Sequence, residues 1–231
     1  MRDRPLVTAL GLVAGLVTTP ALAHHRQTPP IVPLTQTGDT PLPRLPSLGR
    51  STTGFVLANG SGTSVVTVSP YKNPTLLTPL VASGDNQNLA MSFTGTVAAW
   101  DTDANPLGVN APGRQIVVSK RGTLIQATSD PSGTSVNPSL DVAGQRIAFE
   151  SMGDLAGLNP AGVRQVYLRQ PTGQVVQMSA GNGTSRNAVL SAQKGLIAFE
   201  STSDAVNGND TGIEQIWFGT VGGTTLPTPL T

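Results

Sequence analysis

The sequence predicts an all-β protein, a β-propeller of about four tandem four-stranded antiparallel blades, and three observations carry the prediction. Similar blocks recur along the chain at a shift of 49 or 50 residues. Each block holds four short runs of β-branched or aromatic residues, and Gly, Pro, Asn or Asp separates the runs, as expected where strands give way to turns. A module of this kind cannot bury both of its faces alone, so its copies must stack on one another, and four-stranded units of this length are the sequence signature of propeller blades.

The repeat is clearest in the second half. Asn137-Pro138-Ser139-Leu140, followed by Gly144-Gln145-Arg146-Ile147-Ala148-Phe149-Glu150-Ser151, returns as Asn187-Ala188-Val189-Leu190 and Gly195-Leu196-Ile197-Ala198-Phe199-Glu200-Ser201. A looser copy precedes both, from Asn88-Leu89-Ala90-Met91 to Val97-Ala98-Ala99-Trp100-Asp101. The later part of the unit recurs in step as Arg114-Gln115-Ile116-Val117-Val118, Arg164-Gln165-Val166-Tyr167-Leu168 and Glu214-Gln215-Ile216-Trp217-Phe218. A degenerate first unit opens with Pro46-Ser47-Leu48 and continues through Gly54-Phe55-Val56-Leu57-Ala58, Val65-Val66-Thr67-Val68 and Thr75-Leu76-Leu77-Thr78. The units run approximately over residues 46–86, 87–136, 137–186 and 187–231. In the third unit the strands are expected near Pro138–Asp141, Arg146–Ser151, Gln165–Arg169 and Gln174–Ser179. Hairpin turns at 142–144 and 171–173 join them, and one long loop at 152–162 separates the second strand from the third. A β-sandwich or solenoid of duplicated hairpins is the competing arrangement.

Two segments precede the repeats. Residues 1–23 combine Arg2 and Arg4, an uncharged apolar stretch and Ala21-Leu22-Ala23, the three parts of a cleavable signal peptide. The apolar stretch is short for a membrane span and contains Gly11 and Gly15. Export to the periplasm or the medium, with cleavage after Ala23, is the expectation, as is the absence of any membrane span from the cleaved chain. Residues 24–45 carry Pro29, Pro30, Pro33, Pro41 and Pro43, which exclude helix and interior strand alike. This leader has room for one edge strand near Ile31–Thr35.

Composition removes whole classes of function. The 231 residues include no Cys, which excludes disulfides, zinc ribbons and thiol catalysis. The 14 basic and 13 acidic residues give no electrostatic footprint for nucleic acid. The two histidines, His24 and His25, are adjacent in the leader and cannot serve a catalytic triad built elsewhere in a rigid scaffold. A free amino group at His24 after cleavage could help chelate copper, but a tail offers no third ligand from a rigid shell.

The third and fourth units also bear a family resemblance. Asn137-Pro138-Ser139-Leu140-Asp141 with Gly144-Gln145-Arg146-Ile147-Ala148-Phe149-Glu150-Ser151 resembles the WD-like propeller repeat of the TolB type, and Gln165-Val166-Tyr167-Leu168 with Val176-Gln177-Met178-Ser179 is similar to that family's third and fourth strands. The resemblance implies a propeller and a non-enzymatic binding role. This chain departs from it at the turn, which reads Asp141-Val142-Ala143-Gly144, and in having four units where members usually close with six.

Asp101, Glu150 and Glu200 share one position in the repeat, and Asp103, Asp154 and Asp204 follow them. Equivalent positions could gather carboxylates around a channel, giving oxygen ligands for calcium. The competing reading has each acid accept turn N–H groups or pair with Arg114, Arg164 or Arg186. The loop Asn207-Gly208-Asn209-Asp210-Thr211-Gly212 has a calcium-loop composition, yet Glu214 falls too early to be its terminal ligand. Trp100, Phe149, Tyr167, Phe199 and Trp217 occupy matching positions and are expected to pack between blades. The expected function is therefore an exported, non-catalytic propeller that binds a protein or another envelope macromolecule, without a cofactor. A calcium-stabilised module and a carbohydrate-active enzyme using paired carboxylates are the alternatives. Two chains could also pair to complete a larger ring.

Overall fold

The computed structural model of the chain describes residues 47–49, 52–58, 62–69, 72–76, 84–109, 112–191, 195–204, 212–222 and 228–229. The signal segment, the leader with its edge strand, His24 and His25, and most of the loop from Asn207 to Gly212 lie outside the described residues. Every regular element among the described residues is a strand.

Among the described residues, sixteen strands form four antiparallel sheets, each a simple meander in chain order. The first sheet holds β1 (Ser47–Leu48), β2 (Thr53–Ala58), β3 (Thr63–Ser69) and β4 (Lys72–Leu76). The second holds β5 (Asn86–Met91), β6 (Val97–Thr102), β7 (Gln115–Lys120) and β8 (Thr123–Gln126). The third holds β9 (Val136–Leu140), β10 (Ile147–Ser151), β11 (Gln165–Arg169) and β12 (Val175–Gln177). The fourth holds β13 (Ser185–Leu190), β14 (Leu196–Ser201), β15 (Gln215–Thr220) and β16 (Thr228–Pro229). First strands neighbour first strands, β1 beside β5, β5 beside β9 and β9 beside β13, so the sheets stack in chain order as the blades of a small β-propeller.

The packing explains why the second strand of each unit reads as an unbroken apolar run. Along β10, Ile147 and Phe149 join Tyr167 in packing against Val97, Ala99, Ile116 and Val118 of the second sheet. Ala148, pointing the other way, joins Val166 and Leu168 in packing against Ala188, Ile197, Phe199 and Trp217 of the fourth. A blade enclosed on both faces has no solvent side to mark with polar residues, so the period-2 alternation of a one-sided sheet disappears. The aromatic residues lie between blades as expected: Trp100, Phe149, Tyr167, Phe199 and Trp217 are all buried, and the rings of Phe149 and Tyr167 stack at a centroid separation of 5.7 Å. Gly144 closes the β9–β10 turn with φ of 66°, and a Cβ built there would meet Val97 Cβ of the preceding blade at 2.5 Å, so both conformation and space require glycine.

The fourth strand of the third unit is shorter than the expected Gln174–Ser179. Beyond Gln177 a side chain takes over the ladder: Ser179 Oγ accepts the N–H of Val166 at 2.8 Å, and itself donates to Gln165 Oε1 at 2.5 Å. The second unit repeats the device with Thr128 Oγ1, which accepts the N–H of Ile116 at 2.9 Å and donates to Gln115 Oε1 at 2.8 Å. Gln115 and Gln165 thus tether the outer edge of the second and third blades from a buried position on the third strand.

Candidate functional site

The repeat-position acids sit at the end of the second strand, on the face turned toward the following blade. Opposite them, the first strand of the second, third and fourth units contains a β-bulge: Gln87 and Ala90 pair with Asp101 and Ala99, and the register shifts in the same way at β9 and β13. The bulge carries an asparagine in the left-handed region, Asn88, Asn137 and Asn187, with φ of 49°, 54° and 54°. Asparagine tolerates that conformation better than other residues with a Cβ.

This geometry aims Asn137 and Asn187 each at two carboxylates and Asn88 at one. Asn137 donates its backbone N–H to Asp101 Oδ1 of the preceding blade at 3.1 Å and its side-chain amide to Glu150 Oε1 of its own blade at 2.9 Å. Asn187 repeats the pattern, donating its N–H to Glu150 Oε1 at 2.9 Å and its amide to Glu200 Oε2 at 2.8 Å. Asn88 donates its amide to Asp101 Oδ1 at 2.7 Å. In the second and third blades the arginine at the base of the third strand holds the other carboxylate oxygen: Arg114 reaches Asp101 Oδ2 at 2.7 Å and Arg164 reaches Glu150 Oε2 at 2.9 Å. Each carboxylate therefore joins two strands of its own blade to the first strand of the next. Asp101 and Glu150 are buried and charge-paired, which satisfies groups that would otherwise be costly to remove from water.

Burial alone would lower the Arg114 pKa, but its hydrogen bond and ion pair with Asp101, then those with Asp85, outweigh that and raise it above the ordinary arginine value. In the fourth blade the charges are rearranged. Glu214 stands where the second and third blades have arginine, and Arg186 reaches across from β13 to bridge Glu200 and Glu214 at 3.2 and 2.8 Å. The Glu214 pairing, then that with Glu200, raises the Arg186 pKa.

The structure thus distributes Asp101, Glu150 and Glu200 one to a blade and gives each an arginine and an asparagine. Asp103 accepts the N–H of Asp85 at 2.6 Å, Asp154 accepts that of Asn159 at 2.7 Å within its own loop, and Asp204 is exposed in the segment that follows β14. Among the described residues no three His, Cys, Asp or Glu side chains come together as a set able to hold a metal ion. A further buried acid, Asp130, lies in the connection from β8 to β9 and accepts hydrogen bonds from Ser132, Ser135 and Ser151. Burial would raise its pKa, but the side-chain bonds from Ser132 and Ser151, the Ser132 backbone N–H and the Ser135 hydroxyl together hold it below the ordinary carboxylate value. Sequence reasoning passed over Asp130 because its position in the third unit is Gly181, so the repeat gave no signal.

The loops between second and third strands lie at one end of the stack, because every sheet is a meander with the same strand order. They expose large apolar side chains: Leu107 and Val109 on the second blade, Met152 and Leu158 on the third, and Ile213 leading into β15 on the fourth. Among the described residues no helix is long and apolar enough to cross a membrane.

Sheet order, interblade carboxylates and loop-borne apolar groups define a β-propeller-type protein. Among solved structures the chain is similar to a TolB-type protein from Agrobacterium tumefaciens, at 17% identity and a TM-score of 0.55, and to TolB from Acinetobacter baumannii, at 13% identity and a TM-score of 0.55. Each comparison covers 80% of this chain, but the chain spans only 60% of the first protein and 42% of the second. An oligogalacturonate lyase in complex with manganese shares the fold at 10% identity and a TM-score of 0.54, over 80% of this chain and 51% of that one. At such identities the likeness is one of fold, and the fold serves binding proteins and enzymes alike. No protein-family model and no curated protein matches the sequence.

Proposed function

We propose that the chain is an exported, non-catalytic scaffold that binds another macromolecule of the cell envelope or exterior through the loops between its second and third strands. The observation that carries this reading is the row of exposed Leu107, Val109, Met152, Leu158 and Ile213 on successive blades. Apolar side chains on loops held by a rigid framework are what a protein-binding surface requires. The acids that a catalytic reading would use, Glu150 and Glu200, are engaged by Arg164, Arg186, Asn137 and Asn187. Export rests on the N-terminal sequence, and the even balance of charge argues for a protein partner over nucleic acid.

The test is capture from an envelope extract by immobilised residues 24–231, with a Met152→Asp/Leu158→Asp variant beside the wild type. A partner retained by the wild type and lost from the variant supports the reading; recovery of no partner, or equal recovery by both, counts against it. The assignment of carbohydrate chemistry to paired carboxylates is excluded if any glycosidase or lyase activity survives unchanged in Glu150→Gln and Glu200→Gln.

A further inference from the structure

The even balance of charge in the chain conceals a separation along the strand axis. The hairpin turns lie at the end opposite the loops: Lys120 pairs with Val97 and with Thr123, and Ile147 pairs with Leu140 and with Arg169. Gly144 packs on Val97, so the second and third blades bring their turns side by side. The cations at this end of the two blades are Lys120, Arg121, Arg146 and Arg169. Lys120 and Arg121 are exposed, and among the described residues neither they nor Arg169 form an ion pair. Asp141, the one acid at this end among the described residues, is 14% exposed and lies 3.5 Å from Arg146. The loop end has the opposite character. Arg114, Arg164 and Arg186 are each engaged by acids there, while Asp154 and Asp204 are exposed.

Apolar side chains stand among these cations. Phe93, on the β5–β6 turn, is 57% exposed. Its turn is fixed: the Ser92 carbonyl accepts the N–H of Gly95 at 2.9 Å, and Ser92 Oγ accepts that of Val97 at 3.1 Å. The Thr96 carbonyl accepts the N–H of Arg121 at 3.0 Å, which ties the turn of Phe93 to the turn that carries the cations. Counted from Met91 opposite Ala98 and from Leu140 opposite Ile147, Val142 holds the same turn position on the third blade, and it is partly exposed.

We infer that the turn end is a docking surface for an anionic phospholipid bilayer, with Phe93 and Val142 entering the interface and Lys120, Arg121, Arg146 and Arg169 set against the headgroups. Cations gathered at one end with little acid between them create a local positive potential, whatever the net charge of the chain. A soluble polyanion would use the cations but has no need of a phenyl ring held out on a fixed turn. A bilayer surface takes both, the ring at the boundary of the acyl chains and the cations in the anionic headgroup layer. Docked in this way, the protein turns its loop end away from the bilayer. The two ends are separate, so this inference does not depend on the partner proposed for the loops.

The experiment is co-sedimentation of residues 24–231 with vesicles of phosphatidylcholine containing about one-third phosphatidylglycerol, and with vesicles of phosphatidylcholine alone. The expected result is binding to the anionic vesicles that is absent from the neutral ones and falls when salt is raised from about 0.1 to about 0.5 M. This lipid and salt dependence of the wild type needs no variant to fold. Lys120→Gln/Arg121→Asn should weaken the partition coefficient about twenty-five-fold, about fivefold for each cation lost. Asparagine suits the left-handed backbone at Arg121, where φ is 53°. Phe93→Ser should weaken it about tenfold. Val109→Glu/Leu158→Glu, which shifts the net charge by the same amount at the loop end, should bind as the wild type does. No binding to anionic vesicles, equal binding to neutral ones, an equal loss in the loop-end variant, or retention on heparin without binding to vesicles overturns the inference.

Discussion

The backbone N–H of Asn187 lies 2.9 Å from Glu150 Oε1, an oxygen that belongs to the preceding blade and also accepts the side-chain amide of Asn137. One carboxylate oxygen therefore receives a donor from each of two successive bulges, while its partner oxygen is held by Arg164. Stacking of blades here depends on directional polar contacts as well as on apolar burial, and the contacts recur at Asp101.

The first prediction concerns the bulge. Asn137→Ala loses the amide donated to Glu150 and puts an alanine in the left-handed region, and should cost about 2–4 kcal/mol in urea unfolding. Asn137→Gly loses the amide but not the conformation and should cost about 1 kcal/mol less than alanine. Equal losses would mean that the backbone conformation contributes nothing.

Removing the buried acid should be worse than removing either donor. Glu150→Ala leaves Arg164, the Asn137 amide and the Asn187 N–H without their common acceptor and should destabilise by about 3–5 kcal/mol. Arg164→Ala, at a partly exposed position, should cost less. Denaturation midpoints of the two variants check the order.

Acid sensitivity should be traceable to Asp130. Its folded pKa is depressed, so the stability it contributes is complete above the ordinary carboxylate range and is lost as pH falls through the lower folded value. Thermal midpoints should therefore decline on acidification below the usual aspartate range, and Asp130→Asn should flatten that decline while lowering the midpoint at neutral pH.

Calcium should leave the melting midpoint unchanged, as should a chelator, because the acids at the repeat position are already neutralised by arginines. A ligand that binds only the folded state must raise the midpoint, so an upward shift with calcium would restore the metal-bound alternative.

Much of this was legible before any coordinates. The period of about 50 residues and the strand runs identified the blades, and pairing of the acids with Arg114, Arg164 and Arg186 was one of two readings that their common position left open. The asparagines were visible at the opening of the last three units, but the bulge was not. A single extra residue in one strand has no compositional mark, and its purpose, a donor aimed at the blade before, involves residues 36 or 37 positions away. Asp130 was missed for a related reason: its serine partners come from the adjoining turn and from β10, and no other unit repeats it.

The sequence by itself determined the blade: how many strands it has and in what order, which aromatics repeat, and which acids stand together in phase. Those properties come from local preference and periodicity, which a single unit carries. Only the tertiary structure decided which side of each blade is sealed and which is left open at Ile216 and Phe218. Burial there depends on whether another sheet follows in space, and identical positions in the repeat read alike whether or not one does.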